Sequence, residues 1–256
     1  MHSEQESPPA AWQRLRSEVG AQAPMLSAPP PAAGGLCPVC RGPGRPGQAR
    51  CYQCDLYGEC LPGLMPDVVA PVAYAVKGGP HATNLWLYKS GRPGAAAARA
   101  ALLGLLLVYL RDHGRCVWRR AGMARPTHVA VVPSRRGRPA PHPLQELAAP
   151  YLTLRWARLA LARRDDPPAH DPDPSLFRSA QIPGARVLLL DDTWTTGASA
   201  VSAAAALRLA GARSVAVIVL GRHLDAGPAA AGRGFSPEAM PFRPWLCAVH
   251  LPGRTQ

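Results

Sequence analysis

Residues 187–199 constrain the fold of this chain more than any other stretch of its sequence. Four apolar residues at 187–190 are followed at once by two aspartates and then by a turn that ends in Gly197. A short continuous apolar run is typical of a strand that is buried on both faces of a parallel sheet. The alanine-rich residues 200–210 that come next favour a helix. A strand, a tight turn and a helix in this order predict one βα unit of an open α/β sheet.

The turn between this strand and helix has groups that suit a phosphorylated ribose. The helix N-terminus offers unpaired N–H groups and the positive end of its dipole to a phosphate. Asp191 and Asp192 can accept hydrogen bonds from the two ribose hydroxyls, directly or through Mg²⁺. The alternative is an ordinary βα unit in which the two aspartates only cap the helix. The predicted phosphate-binding residues are Thr193, Thr195, Thr196, Gly197, Ala198 and Ser199.

Four cysteines near the N-terminus form two Cys-x₂-Cys pairs, which are typical of a structural zinc site. Cys37 pairs with Cys40 and Cys51 pairs with Cys54, so each pair can present two thiolates to one tetrahedral Zn²⁺. The spacer at 41–50 contains three glycines and two prolines. Such a spacer supplies little core, and a metal would be the main source of order. A redox-active dithiol pair is the alternative.

The order Asp-Asp-x-x-Thr-Thr-Gly after an apolar strand resembles the ribose-phosphate motif of type I phosphoribosyltransferases, whose ligand is 5-phosphoribosyl-1-pyrophosphate (PRPP). Trp194 departs from that motif, which has a small or aliphatic residue at this place. With the four-cysteine module in front, the chain resembles the ComF/GntX family of phosphoribosyltransferases over about residues 36–221. The resemblance implies an open, mostly parallel α/β sheet of the type I phosphoribosyltransferase kind, with a small N-terminal zinc knuckle.

This resemblance implies an enzyme that binds PRPP with Mg²⁺ and transfers its phosphoribosyl group to a nitrogenous acceptor, releasing pyrophosphate. Asp191 and Asp192 would then be the catalytic residues. The resemblance assigns the binding of pyrophosphate to Ser134, Arg135, Arg136, Gly137 and Lys77. The alternatives are that the two arginines belong to a solvated basic turn and that Lys77 is an ordinary surface lysine.

A second function class stays open beside the enzyme. Relatives in the ComF family are associated with DNA uptake, and a zinc knuckle on a basic chain would suit nucleic-acid handling. The chain would then be a zinc protein that senses PRPP or handles nucleic acid without catalysis. A long loop at 163–185 occupies the place of the mobile lid in type I phosphoribosyltransferases, where arginines such as Arg178 would close over pyrophosphate.

The formal net charge of +13 attracts polyanions, either nucleic acid or a pyrophosphorylated metabolite. However, only Lys77 and Lys89 among the 29 basic residues are lysines, so the excess resembles a general arginine-rich composition. The first 35 residues lack the apolar segment of a secretory signal. The longest apolar run, at 100–110, is too short for a bilayer. We therefore expect a cytoplasmic protein without a membrane partner, for which a homodimer is compatible with the resemblance.

The chain is predicted to contain four segments, set apart by composition. They are a disordered Pro/Ala-rich tail at 1–35, the zinc module at 36–62, a phosphoribosyltransferase-like domain at 63–222 and a Pro/Gly-rich C-terminal segment at 223–256. Patterning inside these segments predicts strands at 68–76, 84–89, 127–132 and 245–250, and a helix at 95–113. Cys116 and Cys247 are predicted to be isolated apolar core residues, and His113 shows no metal-ligand spacing.

Overall fold

A sheet of parallel strands with helices on both faces organises the chain, as predicted. The computed structural model describes residues 8–31, 35–135, 141–162, 170–225 and 236–250. Its strands are β1 (Val68–Val76), β2 (His128–Val131), β3 (Arg155–Trp156), β4 (Leu159–Leu161), β5 (Phe177–Ser179), β6 (Arg186–Trp194) and β7 (Ser214–Leu224). Its helices are α1 (Pro8–Gln22), α2 (Tyr52–Cys60), α3 (Pro80–Leu87), α4 (Ala95–Arg120), α5 (Pro143–Ala148) and α6 (Ala198–Leu209).

The main sheet has five strands in the order β1-β7-β6-β2-β3, and every neighbouring pair is parallel. Strands β4 and β5 form a separate antiparallel pair. Leu188 and Leu190 pack with α1, α3 and α4 on one face, whereas Val187 and Leu189 pack with α6 and the cysteine module on the other. Both faces of β6 are therefore covered, which explains why its sequence is continuously apolar. The α/β class and the mostly parallel sheet are confirmed.

The prediction of a disordered tail at 1–35 is wrong for the described residues 8–31, because α1 packs against α4. Val19 is 2% exposed. Gly104 in α4 lets α1 come close, since a Cβ there would lie 3.2 Å from Leu15 and 3.3 Å from Val19. Leu15 and Val19 are four residues apart and share one helix face. The contact surface lies on a distant helix, so the tail sequence alone did not reveal it.

The predicted strand at 84–89 is also wrong, because this segment belongs largely to α3. Pro80 occupies the first turn of the helix, where its missing N–H does no harm. His81 and Leu85 are four residues apart and are both buried. One turn of helix places both side chains on the same face, where they lie against β7: a Cβ on Gly221 would meet Leu85 and His81.

The long helix α4 runs past its predicted end at Gly114 and finishes at Arg120. Gly114 lies inside the helix, and a Cβ on this residue would lie 3.3 Å from the Trp118 ring. Gly122, with a φ of +64°, follows the true end, and the Met123 N–H donates to the Trp118 carbonyl. The helix therefore does stop before a glycine, as expected, but this glycine is Gly122 and not Gly114.

Two further segments differ from the predictions. The loop expected at 163–185 contains β5, which pairs with β4. Residues 245–250 form turns instead of an edge strand, and Cys247, Ala248 and Val249 are buried in the core cluster that includes α4. In the part of the chain that the structure describes, no helix has the length and apolar character needed to cross a membrane.

Candidate active site and metal centre

A cleft of about 610 Å³ lies at the carboxyl ends of β2 and β6, which are neighbours in the sheet. Ligands of open α/β sheets bind at these ends. Asp191 and Asp192 line the cleft from β6, and Ser134 and Arg135 line it from the loop after β2. The structure thus brings together residues from two separate βα loops. All the predicted phosphate-binding residues also line the cleft: Thr193, Thr195, Thr196, Gly197, Ala198 and Ser199.

The turn at the base of the cleft depends on a close pairing of Gly197 with Trp194. Strand β6 continues to Trp194, past its predicted end, and this indole is 1% exposed. Gly197 has a φ of +91° and precedes the first residue of α6. A Cβ on Gly197 would overlap the indole ring and lie 2.7 Å from its Nε1. Trp194 therefore fills the space directly behind the turn at Gly197.

The Asp192 carboxylate is buried and held by three groups from other elements. The Lys89 Nζ lies 2.6 Å from Oδ2, the Tyr88 hydroxyl donates to the same oxygen, and His142 Nε2 lies 3.6 Å away. Burial alone would raise the pKa of Asp192, but the Lys89 ammonium, helped by Tyr88 and His142, lowers this pKa below its ordinary value. Asp192 is therefore an ionised, fixed group.

Asp191 has the opposite electrostatic environment although it is the next residue. Burial, reinforced by the negative charge of Asp192, raises the pKa of Asp191 to about 8, and Lys89 opposes this rise. Among the described residues no side chain donates a hydrogen bond to the Asp191 carboxylate. Asp192 is thus ionised and paired with Lys89, whereas Asp191 can accept a cation or a hydrogen bond from a ligand hydroxyl.

The residues predicted to hold pyrophosphate have three different outcomes. Ser134 and Arg135 line the cleft. Arg136 and Gly137 lie outside the described residues, so the structure says nothing about them. Lys77 is not brought to the cleft: its side chain is 74% exposed and lies 3.8 Å from Asp225.

Sequence reasoning missed four residues of the site: Trp86, Lys89 and His142, which line the cleft, and Tyr88, which donates to Asp192. Tyr88 and Lys89 follow α3 and hold Asp192, and His142 precedes α5. Trp86 lines the cleft while remaining 54% exposed, as suits a rim residue that stacks on a planar ligand. The only available signal was that Lys89 is one of two lysines in an arginine-rich chain.

A second site lies on the other side of β6, where the four N-terminal cysteines converge. Their sulfur atoms all lie within 4.8 Å of one another, and the Cys40 and Cys51 sulfurs are 3.7 Å apart. A tetrahedral zinc with bonds of about 2.3 Å has sulfur–sulfur edges of about 3.8 Å, so the residues fit this metal. Hydrogen bonds among the four thiols, that of Cys40 most strongly, hold the pKa of Cys37 well below its ordinary value, whereas they raise the pKa of Cys51 and of Cys54.

Arg222 connects the cysteine cluster with the turn that follows β6. Its guanidinium donates to the carbonyls of Trp194 at 3.1 Å and Thr195 at 2.7 Å, and its Nη2 lies 3.9 Å from the Cys40 sulfur. Arg222 is 9% exposed, and a Cβ on Gly42 would overlap the guanidinium. One buried cation therefore contacts both the cysteine cluster and the backbone that shapes the cleft.

Comparison with known proteins returned no match, either to models of protein families or among curated proteins. The functional argument therefore depends on the cleft and the cysteine cluster themselves. The cleft offers a helix N-terminus, a hydroxyl-rich turn and an acidic pair in one place. These are the groups that bind a phosphate, a polyol and a divalent cation.

Proposed function

We propose that this chain has a type I phosphoribosyltransferase fold of the ComF/GntX kind and binds PRPP with Mg²⁺ in the cleft of β2 and β6. One observation supports this most strongly. Asp191, to which no described side chain donates a hydrogen bond although the Lys89 charge acts on it, lines the same cleft as the turn at Thr195–Gly197 and the loop of Ser134 and Arg135. An acid that can take up a cation therefore shares its cleft with two potential phosphate sites.

Each part of PRPP is assigned to one part of the cleft. The 5-phosphate binds the first turn of α6, where N–H groups are unpaired within the helix, and Thr195, Thr196 and Ser199 add hydroxyl donors. The ribose hydroxyls would bind Asp191, whose carboxylate would also hold Mg²⁺, and this cation would help to neutralise the charge of pyrophosphate. Arg135 contributes a charge-assisted bond to pyrophosphate.

In the transfer reaction, the bond from the anomeric carbon to pyrophosphate breaks and a bond from this carbon to the acceptor nitrogen forms. The acceptor nitrogen then loses a proton. The sugar gains positive charge as pyrophosphate leaves. The ionised carboxylate of Asp192, fixed by Lys89 at 2.6 Å, lies in the site without reorganising during this step. A planar acceptor would stack on the exposed ring of Trp86 at the rim.

Calorimetric titration of the zinc-loaded protein tests the proposal. We expect PRPP to bind only with Mg²⁺, and Asp191→Asn to abolish this binding. Asp225→Asn is the matched control, because Asp225 is exposed and its only described ion pair is with Lys77. Ribose 5-phosphate and pyrophosphate, titrated separately, identify which half of the site binds. Absence of heat with all three ligands in the folded wild-type protein would refute the proposal.

The environment of Asp192 favours a second candidate function, PRPP binding without turnover. Lys89 and Tyr88 already engage one oxygen of this carboxylate, which reduces its capacity to bind the ribose. Release of pyrophosphate in the presence of nitrogenous acceptors separates the two functions. PRPP binding with no pyrophosphate release for any acceptor would favour a sensor. Binding of DNA that weakens steeply with salt would favour nucleic-acid handling instead.

A further inference from the structure

Two histidines and two cysteines meet between α4 and the C-terminal segment. His113 and Cys116 are three residues apart on α4, so they share one face of the helix. Cys247 and His250 have the same spacing in a turn, which the His250 N–H closes on the Cys247 carbonyl at 3.0 Å. The expectation that Cys116 and Cys247 are isolated is therefore wrong. The two halves of this cluster are separated by more than half the chain.

The ligand atoms of this cluster lie close together. Those of His113, Cys116 and Cys247 are all within 4.8 Å of one another, and the Cys116 sulfur lies 3.9 Å from His250 Nδ1. Both His113 and Cys247 are buried, with exposures of 5% and 3%. Two thiols and two imidazoles in reciprocal spacing, His-x₂-Cys on a helix and Cys-x₂-His on a turn, form a ligand set of the kind that holds structural zinc.

We propose that His113, Cys116, Cys247 and His250 bind a second zinc ion, which is distinct from the ion of the N-terminal cysteine module. The proposal is independent of PRPP binding, since none of the four residues lines the cleft. Its function would be structural: the ion would fasten the segment around Cys247 to the last turns of α4.

The surroundings of His113 support metal binding. Its Nε2 lies 2.7 Å from the Pro244 carbonyl, and because a carbonyl can only accept, Nε2 carries the proton. The lone pair is then on Nδ1, which leaves this nitrogen available to bind a metal, and the outer hydrogen bond fixes the ring orientation. Pro244 precedes Cys247 in the same segment, so that segment supplies both a ligand and the group that orients its partner.

A buried hydroxyl beside the cluster gives independent support. The Tyr109 side chain is 3% exposed, and its hydroxyl makes no hydrogen bond of normal geometry with a described residue, although it lies close to the Cys247 thiol. Its ring lies 5.2 Å from the His113 ring, and Cys247 is among the groups that act on this hydroxyl. A thiol is a weak acceptor, whereas a metal-bound thiolate accepts strongly. Zinc at this place would therefore satisfy a donor that is otherwise costly to bury.

A disulfide between Cys116 and Cys247 is the competing explanation for their closeness. Both cysteines are free in the structure. A disulfide would also leave His113 and His250 without a role in the cluster. The two explanations differ in metal content and in thiol content, so one preparation of the full chain distinguishes them.

Metal analysis of the full chain, purified with zinc and under reducing conditions, is the decisive experiment. We expect two zinc ions per chain in the wild type and one in Cys116→Ser/Cys247→Ser. Cys60→Ser is the matched control and should keep both ions, because Cys60 is exposed and belongs to neither cluster. Cys37→Ser/Cys40→Ser should lose the other ion, which shows that the two sites are separate.

A second measurement needs no variant and protects the test against misfolding. Zinc-edge X-ray absorption of the wild-type chain should show histidine scattering, which a site of four cysteines cannot produce. The milder variant His250→Asn, at a half-buried ligand, should reduce that signal. One zinc per chain with purely sulfur ligation in the wild type would overturn the proposal. A Cys116–Cys247 cross-link found by mass spectrometry in the reduced preparation would overturn it equally.

Discussion

Replacing Gly197 by alanine tests whether the cleft turn depends on its close contact with the Trp194 indole. Gly197 lies in the left-handed region, with a φ of +91°, and a Cβ there would overlap the indole ring. Because Trp194 is only 1% exposed, its ring has little room to move away. Alanine therefore meets two separate penalties, a backbone conformation that L residues avoid and an overpacked contact.

The two penalties can be estimated separately. A left-handed conformation costs a residue with a Cβ about 1–2 kcal/mol, of which about 0.4–1 kcal/mol is recovered from the lower entropy of the unfolded chain. Overpacking a filled core costs about 1–3 kcal/mol. The Gly197→Ala change should therefore lower the free energy of unfolding by about 2–4 kcal/mol in total. For a chain of this size, this corresponds to a fall in Tm of about 4–16 °C.

Gly78 provides the matched control for the backbone penalty. It has a φ of +81°, and a Cβ there would meet nothing within 4 Å. Gly78→Ala should therefore cost only about 0.5–1 kcal/mol, which is the conformational part alone. The difference between the two variants measures the contact with Trp194.

Urea unfolding of a double-mutant cycle then attributes that difference to the indole. In a Trp194→Leu background, the smaller side chain leaves room for the Cβ, so Gly197→Ala should cost no more than Gly78→Ala. An equal cost of Gly197→Ala in the wild-type and Trp194→Leu backgrounds would refute the reasoning. The cause of the cost would then lie in the backbone alone.

Three further predictions follow from the charged groups. Lys89→Met should lower the free energy of unfolding by about 3 kcal/mol at pH 7, because it leaves the buried Asp192 without its cation. This loss should shrink as pH falls towards 4, since Asp192 then takes up a proton. Urea titrations measure the effect, with Lys77→Met as the exposed control. Because burial raises the pKa of Asp191 to about 8, binding of PRPP with Mg²⁺ should strengthen as pH rises from 6 to 8 and level off above, and calorimetry showing no pH dependence would contradict this. Chelation of zinc should open residues 36–62 to proteolysis, and Cys37→Ser should reproduce the effect without a chelator.

Local patterns sufficed to predict the central part of the fold. The apolar run at 187–190 and the alanine-rich helix after it follow from composition over a few residues, and β6 and α6 are both present. The convergence of Ser134 with Asp191 followed from the rule that strand ends share one edge of a parallel sheet. The two Cys-x₂-Cys pairs likewise predicted that the four cysteines come together, and they form one cluster.

The errors concern contacts between distant parts of the chain. Nothing in the sequence of α1 shows that Gly104 lies opposite Leu15 and Val19. Similarly, the sequence around Lys89 contains no pattern which indicates that its ammonium group lies beside the Asp192 carboxylate. Such contacts depend on how crossovers place helices on the sheet, and short-range patterning does not contain this information.

The position of Arg222 has a consequence for how the chain can be divided. In sequence, the zinc module at 36–62 precedes the sheet and could be mistaken for a removable cap. Yet the guanidinium that contacts the Cys40 sulfur also holds the carbonyls of Trp194 and Thr195. A fragment that starts after the module would leave this cation uncovered beside the cleft. The module and the sheet therefore form one structural unit, and any fragment designed for expression should include both.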